Sequence, residues 1–71
     1  MSMDVTAPMP GKIFKIAVNV GDKVAEDDEL LTLEAMKMEN PIFAPADGTV
    51  TEIKVKEGDS VSADQILVVI G

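Results

Sequence analysis

The sequence predicts a small all-β domain, a sandwich or flattened barrel built from two copies of one unit of about four short strands. Three observations lead to this fold class: an internal repeat, apolar residues that alternate with polar ones, and turn residues between short apolar runs. With 71 residues, the chain is expected to form a single domain, residues 1–71, with a core of limited size.

The internal repeat covers most of the chain. Residues 7–34 align without a gap onto residues 44–71 at a constant offset of 37, and 10 of the 28 aligned positions are identical. Chance is a poor explanation for this level of identity. Two copies of one unit predict a pseudo-twofold fold in which each copy supplies half of a shared core.

The strands are predicted from residues that alternate with a period of two. Ile53 and Val55 alternate with lysines, which indicates a half-buried strand, and the aligned segment 16–19 supplies the equivalent strand of the first copy. The segment Glu29–Ala35 has helical propensity, yet it aligns with the short, β-branched segment 65–70. Because two copies should share one conformation, we predict a strand from Glu29 to Ala35.

Turns are predicted at matching positions in both copies. Asp22 and Asp59 each follow a glycine and are expected to cap backbone amides. Four glycines are expected to allow turn conformations, including a positive φ, at low steric cost: Gly11, Gly21, Gly48 and Gly58.

Composition argues against several classes of function. The chain has no Cys, His, Trp or Tyr, so it lacks the usual general base and the usual zinc ligands, and we predict neither catalytic residues nor a metal site. The formal net charge of −7 disfavours binding to nucleic acid or to an anionic membrane. No apolar run approaches the length of a membrane span, and the lack of a signal sequence and of Cys fits a cytoplasmic location.

The segment EAMKMEN, residues 34–40, connects two apolar stretches, so a reversal between them places Met36, Lys37 and Met38 at a hairpin tip. This tip contains no Gly, Pro, Asn or Asp, the residues that favour tight turns. A surface lysine with methionines folded back onto the core would leave this turn composition unexplained. We therefore interpret Lys37 as a lysine that an enzyme modifies, distinguished from the other five lysines by its exposed tip.

The sequence AMKM at residues 35–38 resembles the biotin-attachment motif of biotinyl (biotin carboxyl carrier) domains, and the likeness extends from APMPGKI through VGDKV to EGDSV. It implies a flattened eight-strand β-barrel with biotin in amide linkage to Lys37, flanked by Ala35, Met36 and Met38. The gap-free repeat leaves no room for the thumb loop of some carriers. The chain is therefore more similar to thumbless carriers of acyl-CoA decarboxylases, transcarboxylases, and pyruvate or acyl-CoA carboxylases.

The resemblance implies a non-catalytic carrier that moves a carboxyl group between the catalytic sites of a biotin-dependent carboxylase, decarboxylase or transcarboxylase. Its implied partners are a biotin protein ligase, a biotin carboxylase, and a carboxyltransferase or decarboxylase. Two alternatives remain. A lipoyl carrier usually has Asp before its lysine and a small residue after it, so Met36 and Met38 argue against this assignment. A β-sandwich used only as an interaction module would have no need of Lys37.

Overall fold

The computed structural model describes residues 2–71, and these residues form eight strands and no helix. The predicted strand Glu29–Ala35 is confirmed with those bounds, against its helical propensity. In chain order the strands are β1 (Met3–Thr6), β2 (Gly11–Ile16), β3 (Lys23–Val24), β4 (Glu29–Ala35), β5 (Met38–Phe43), β6 (Gly48–Ile53), β7 (Ser60–Val61) and β8 (Ile66–Ile70).

The strands form two four-stranded antiparallel sheets, with the orders β1-β8-β6-β3 and β5-β4-β2-β7. The all-β prediction is confirmed, and so is its sandwich form. The predicted barrel-sandwich form is compatible with this arrangement, although no strand pairing within residues 2–71 closes the two sheets into a barrel. The short strands β3 and β7 pair over only two residues each and leave the sheets open at those edges.

The core lies between the sheets and is apolar, since no polar or charged side chain within residues 2–71 is buried. Its largest fully buried side chains are related in pairs by the offset of 37 residues, so the two copies contribute equivalent positions. The pairs are Ile13 and Val50, Leu30 and Leu67, Leu31 and Val68, and Leu33 and Ile70. Burial of such side chains is the main favourable term for folding, at about 1.5–3 kcal/mol each.

The two aspartates that were predicted to cap backbone amides do so. The Asp22 carboxylate accepts a hydrogen bond from the backbone N–H of Asn19 at 2.9 Å. The Asp59 carboxylate accepts the equivalent bond from the N–H of Lys56, also at 2.9 Å. Each carboxylate therefore closes a turn over three residues in its own copy.

The four glycines fall into two groups with different physical requirements. Gly21 and Gly58 have φ of 97° and 93°, so the predicted turn conformation is confirmed there. The prediction is wrong for Gly11 and Gly48, which begin β2 and β6 without a positive φ. At those two positions a Cβ would fall 2.6 Å and 2.5 Å from atoms of the adjacent strand, so close packing requires glycine.

The β4–β5 hairpin belongs to one of the two sheets of an elongated molecule that measures 32 × 17 × 17 Å. Gly11 lies beside Ala35 at the base of this hairpin, and β2 leads away from it. The chain then reaches Gly21, whose N–H donates to the carbonyl of Val50, and Val50 pairs with Ile70. The end of β8 therefore pairs with β6 in the other sheet, apart from the strands of the hairpin.

Candidate functional site

A two-residue turn joins β4 to β5 and carries the predicted lysine. Ala35 pairs with Met38, so Met38 is the first residue of β5 and the tip itself consists of Met36 and Lys37. These two residues have φ of 55° and 63°, which places both in left-handed backbone. Positive φ at both central residues is what a type I′ hairpin turn requires.

This turn is strained because its residues carry side chains. Asn and Gly are the preferred residues for such a turn, and left-handed backbone disfavours an ordinary L-residue by roughly 1–2 kcal/mol. Met36 and Lys37 are held in this conformation by the strands on either side, which pair along the whole length of β4. Strain of this kind persists only where the surrounding structure imposes it, and it is frequent at functional sites.

The side chains at the tip point into solvent. Met36 is 87% exposed and Met38 is 64% exposed, so neither methionine folds back onto the core. Lys37 is exposed between them, whereas Ala35 is buried at the base of the hairpin. The tip therefore presents one amine with an apolar side chain on each side.

Asn40 braces the hairpin from β5. Its side-chain Nδ2 donates to the carbonyl of Met38 at 3.2 Å and to the carbonyl of Leu33 at 3.4 Å. The residue is half-buried and pairs directly with Leu33 across the two strands. Sequence reasoning did not assign a role to Asn40, although an amide residue in the strand that follows the tip, three positions after Lys37, is an available signal for it.

Gly11 allows the neighbouring strand to approach the base of the hairpin. A Cβ at this position would lie 2.6 Å from the carbonyl oxygen of Glu34 and 3.1 Å from the Cβ of Ala35. The close approach of β2 holds the last residues of β4 in place. Glycine at position 11 therefore contributes to the site through packing.

The amine of Lys37 is free to carry a group. Within residues 2–71 one ion pair is present, between Lys54 Nζ and Glu52 Oε2 at 2.6 Å, so Lys37 forms none. The hydrogen bond to Glu52, with the charge of that carboxylate, raises the pKa of Lys54. A surface depression lined by Lys12, Ile13, Phe14, Glu34 and Gly58 does not include Lys37. An acyl group on Lys37 Nζ would thus extend into solvent without displacing a protein contact, and the site fits covalent attachment.

Two features are absent from residues 2–71. These residues contain no group of three or more Asp or Glu side chains placed to hold a metal ion. They also contain no helix long and apolar enough to cross a membrane.

Comparison with known proteins gave matches of sequence and of structure. The model of the family described as "Biotin-requiring enzyme" matches residues 3–70. A biotin carboxyl carrier protein of Streptococcus mutans is 66% identical over 38 residues, which cover 54% of this chain and 29% of that protein. The gamma subunit of glutaconyl-CoA decarboxylase of Acidaminococcus fermentans is 61% identical over 41 residues, which cover 58% of this chain and 28% of that protein. The matched residues thus span less than a third of each relative's own length.

The solved structure of urea carboxylase from Kluyveromyces lactis contains a similar domain. It superimposes on the whole of this chain with a TM-score of 0.95 and 32% sequence identity. The matched part is 6% of that chain.

Proposed function

The chain belongs to the biotin-requiring enzyme family, and from this premise we propose that it is a covalent biotin carrier with Nζ of Lys37 as the attachment point. One observation carries the assignment of the residue: Lys37 is an exposed lysine at the tip of a hairpin whose backbone is strained. The turn would gain stability from Gly at this position, so the presence of lysine there is explained by a use for its amine.

Attachment would form one amide bond. A biotin protein ligase would activate the biotin carboxyl group with ATP, and the neutral amine of Lys37 would attack the activated acyl carbon. The amine nitrogen loses a proton and the activating group leaves. Because the amide is uncharged, five cationic side chains would remain against 13 carboxylates, and the formal net charge would change from −7 to −8.

The residues around Lys37 would give the ligase a means of selecting it among six lysines. The left-handed turn sets the direction in which the Cα–Cβ bond of Lys37 leaves the hairpin, and the Asn40 side chain is hydrogen-bonded to both strands below the turn. Met36 and Met38 offer soft apolar contacts on either side of the amine. Ala35 is buried and links the tip to the packed base of the hairpin.

We propose that the domain itself forms and breaks no bond during carboxyl transfer. Its sequence has no His and no Cys, and none of the ionisable side chains of residues 2–71 is buried, which supports a carrier role. Bound biotin would supply a ureido nitrogen that accepts and releases a carboxyl group. The chain would contribute reach from the hairpin tip and a high effective concentration, up to the millimolar range for short flexible tethers.

The proposed partners are a biotin protein ligase, a biotin carboxylase, and a carboxyltransferase or decarboxylase. The similar proteins named above include a carrier protein and a decarboxylase subunit, which supports partners of this kind.

Labelling with a purified biotin protein ligase tests the proposal. The domain is incubated with ligase, ATP and biotin, and intact mass and peptide mapping then locate the modification. We expect a single biotinyl increment on Lys37, none on Lys37→Arg, and full labelling of Lys12→Arg, which alters an exposed lysine on the adjacent strand. Biotin labelling of the Lys37→Arg variant would overturn the assignment of the site. Failure of the ligase to label the wild type would overturn the proposed function.

A further inference from the structure

The methionines of the described chain fall into two groups that differ in burial. Met36 and Met38 are 87% and 64% exposed, whereas Met3 and Met9 are half-buried and pack against the core. Met36 and Met38 also stand on either side of Lys37. We propose that they form an oxidisable pair, and that their reversible conversion to sulfoxide by hydrogen peroxide controls recognition of Lys37. This inference rests on the proposed function.

The chemistry needs only peroxide and, for reversal, a dithiol. The thioether sulfur attacks one oxygen of hydrogen peroxide, the O–O bond breaks, an S–O bond forms, and the second oxygen leaves as water. The sulfur is oxidised by two electrons and the peroxide is reduced by two. A methionine sulfoxide reductase returns the thioether while a dithiol is oxidised to a disulfide and the sulfoxide oxygen leaves as water.

Oxidation at the tip would leave the fold intact. A sulfoxide is polar, so it disrupts a protein when the methionine is part of a core. The side chains of Met36 and Met38 lie outside the core cluster, and they contribute little buried surface. Met9 packs against that cluster, so its oxidation would lower stability. The structure therefore separates oxidation that changes the surface of the tip from oxidation that damages the core.

Oxidation at the tip would alter the surface that a partner meets beside the amine. The unmodified tip presents two flexible apolar side chains, and a sulfoxide replaces each with a polar group. Met36 directly precedes Lys37 in the left-handed turn, so a sulfoxide at this position lies beside the amine. A partner protein that buries the side chains of Met36 and Met38 when it contacts Lys37 would then have to bury a polar S–O group at both residues, which costs free energy unless that group is hydrogen-bonded.

The experiment compares each protein with itself before and after peroxide. Wild type, the double variant Met36→Leu with Met38→Leu, and the control Met9→Leu are treated with limiting hydrogen peroxide, which is removed before the ligase is added. Peptide mass mapping ranks the oxidation of each methionine, urea melts report stability, and the initial rate of biotin labelling reports recognition. A sample of oxidised wild type is also treated with sulfoxide reductase and a dithiol.

We expect Met36 and Met38 to oxidise before Met9, without a change in the urea midpoint. Labelling of wild type and of Met9→Leu should fall by on the order of tenfold, equivalent to about 1.4 kcal/mol of recognition, and the reductase should restore it. The rate of the double leucine variant, whatever its starting value, should not respond to peroxide. Earlier oxidation of Met9, or unchanged labelling of the sulfoxide form, would overturn the inference alone. If unoxidised wild type is not labelled, the proposed function fails and the inference fails with it.

Discussion

Met36 and Lys37 are consecutive residues in left-handed backbone, with φ of 55° and 63°, at a hairpin tip where Asn and Gly would be the favoured pair. The paired strands below them impose this conformation. The residue that we propose as the attachment site is thus also a source of local strain. Replacing Lys37 with glycine should therefore raise the free energy of unfolding and abolish attachment of the cofactor.

The change Lys37→Gly tests this relationship. We expect it to raise the free energy of unfolding by about 1 kcal/mol, because glycine adopts a positive φ without steric penalty. The same change at Lys12, an exposed lysine inside β2, should lower the free energy of unfolding by roughly 0.5–1 kcal/mol, since glycine weakens a strand. Urea unfolding of both variants measures the two values. Destabilisation by Lys37→Gly would show that the turn stores no strain.

Alanine at Gly11 or Gly48 should destabilise the domain through steric contact. The new Cβ would lie 2.6 Å from the carbonyl oxygen of Glu34 in the first case and 2.5 Å from Cγ2 of the fully buried Ile70 in the second. Neither neighbour can move without shifting a strand or repacking the core, so we expect each change to lower the free energy of unfolding by about 1–3 kcal/mol. Unchanged unfolding midpoints for both variants would mean that the neighbouring strands move apart to accommodate the new Cβ with little loss of stability.

Asn40→Asp should loosen the hairpin in a manner that depends on pH. An ionised carboxylate cannot donate to the carbonyls of Leu33 and Met38, so we expect a loss of about 1–3 kcal/mol near neutral pH. A protonated carboxyl can donate one of the two bonds, so the folded state should raise the pKa of the introduced group. The deficit relative to wild type should therefore be full above that raised pKa, shrink as pH falls through it, and stop changing below the unfolded pKa of about 3.9. Urea melts of both proteins across this range measure it, and a deficit that grows as pH falls would contradict the bracing role.

The residues beside Lys37 should decide which cofactor the domain accepts. We expect wild type to take biotin and little or no lipoate in competition assays with both ligases, with intact mass as the readout. The double change Met36→Asp with Met38→Ala places a charge where a partner meets an apolar side chain, so it should weaken biotin labelling and allow some lipoate. Because both side chains are exposed, its unfolding midpoint should stay close to that of wild type. Efficient lipoate attachment to wild type, with biotin refused, would reverse the proposed cofactor.

Much of the fold could be predicted because its information is local or repeated. The alignment of the two copies identified Glu29–Ala35 as a strand, which propensity alone would have assigned to a helix. Asp22 and Asp59 were recognised as caps because a carboxylate that follows a turn glycine reaches amides only three residues away. The unusual composition of the tip was also visible in the sequence, and it singled out Lys37.

Other features depend on contacts between segments that are distant in sequence. Whether two four-stranded sheets close into a barrel is decided by pairing at their edges, and alternation of apolar residues is the same in an open sandwich. Gly11 is required by the approach of Glu34, which is 23 residues away in the chain, so the residue type alone suggested a turn conformation instead.

The sequence by itself therefore determined the repeat, the all-β class, the strand Glu29–Ala35, the capped turns and the lysine that stands out from the others, whereas the strands predicted at 16–19 and 53–56 instead end at Ile16 and Ile53. Only the tertiary structure decided that Met36 and Lys37 are left-handed and that Asn40 spans two carbonyls. The physical reason is that a strained turn forms only when paired strands on both sides hold it. That pairing is a property of the folded sheet, and no residue at the tip encodes it.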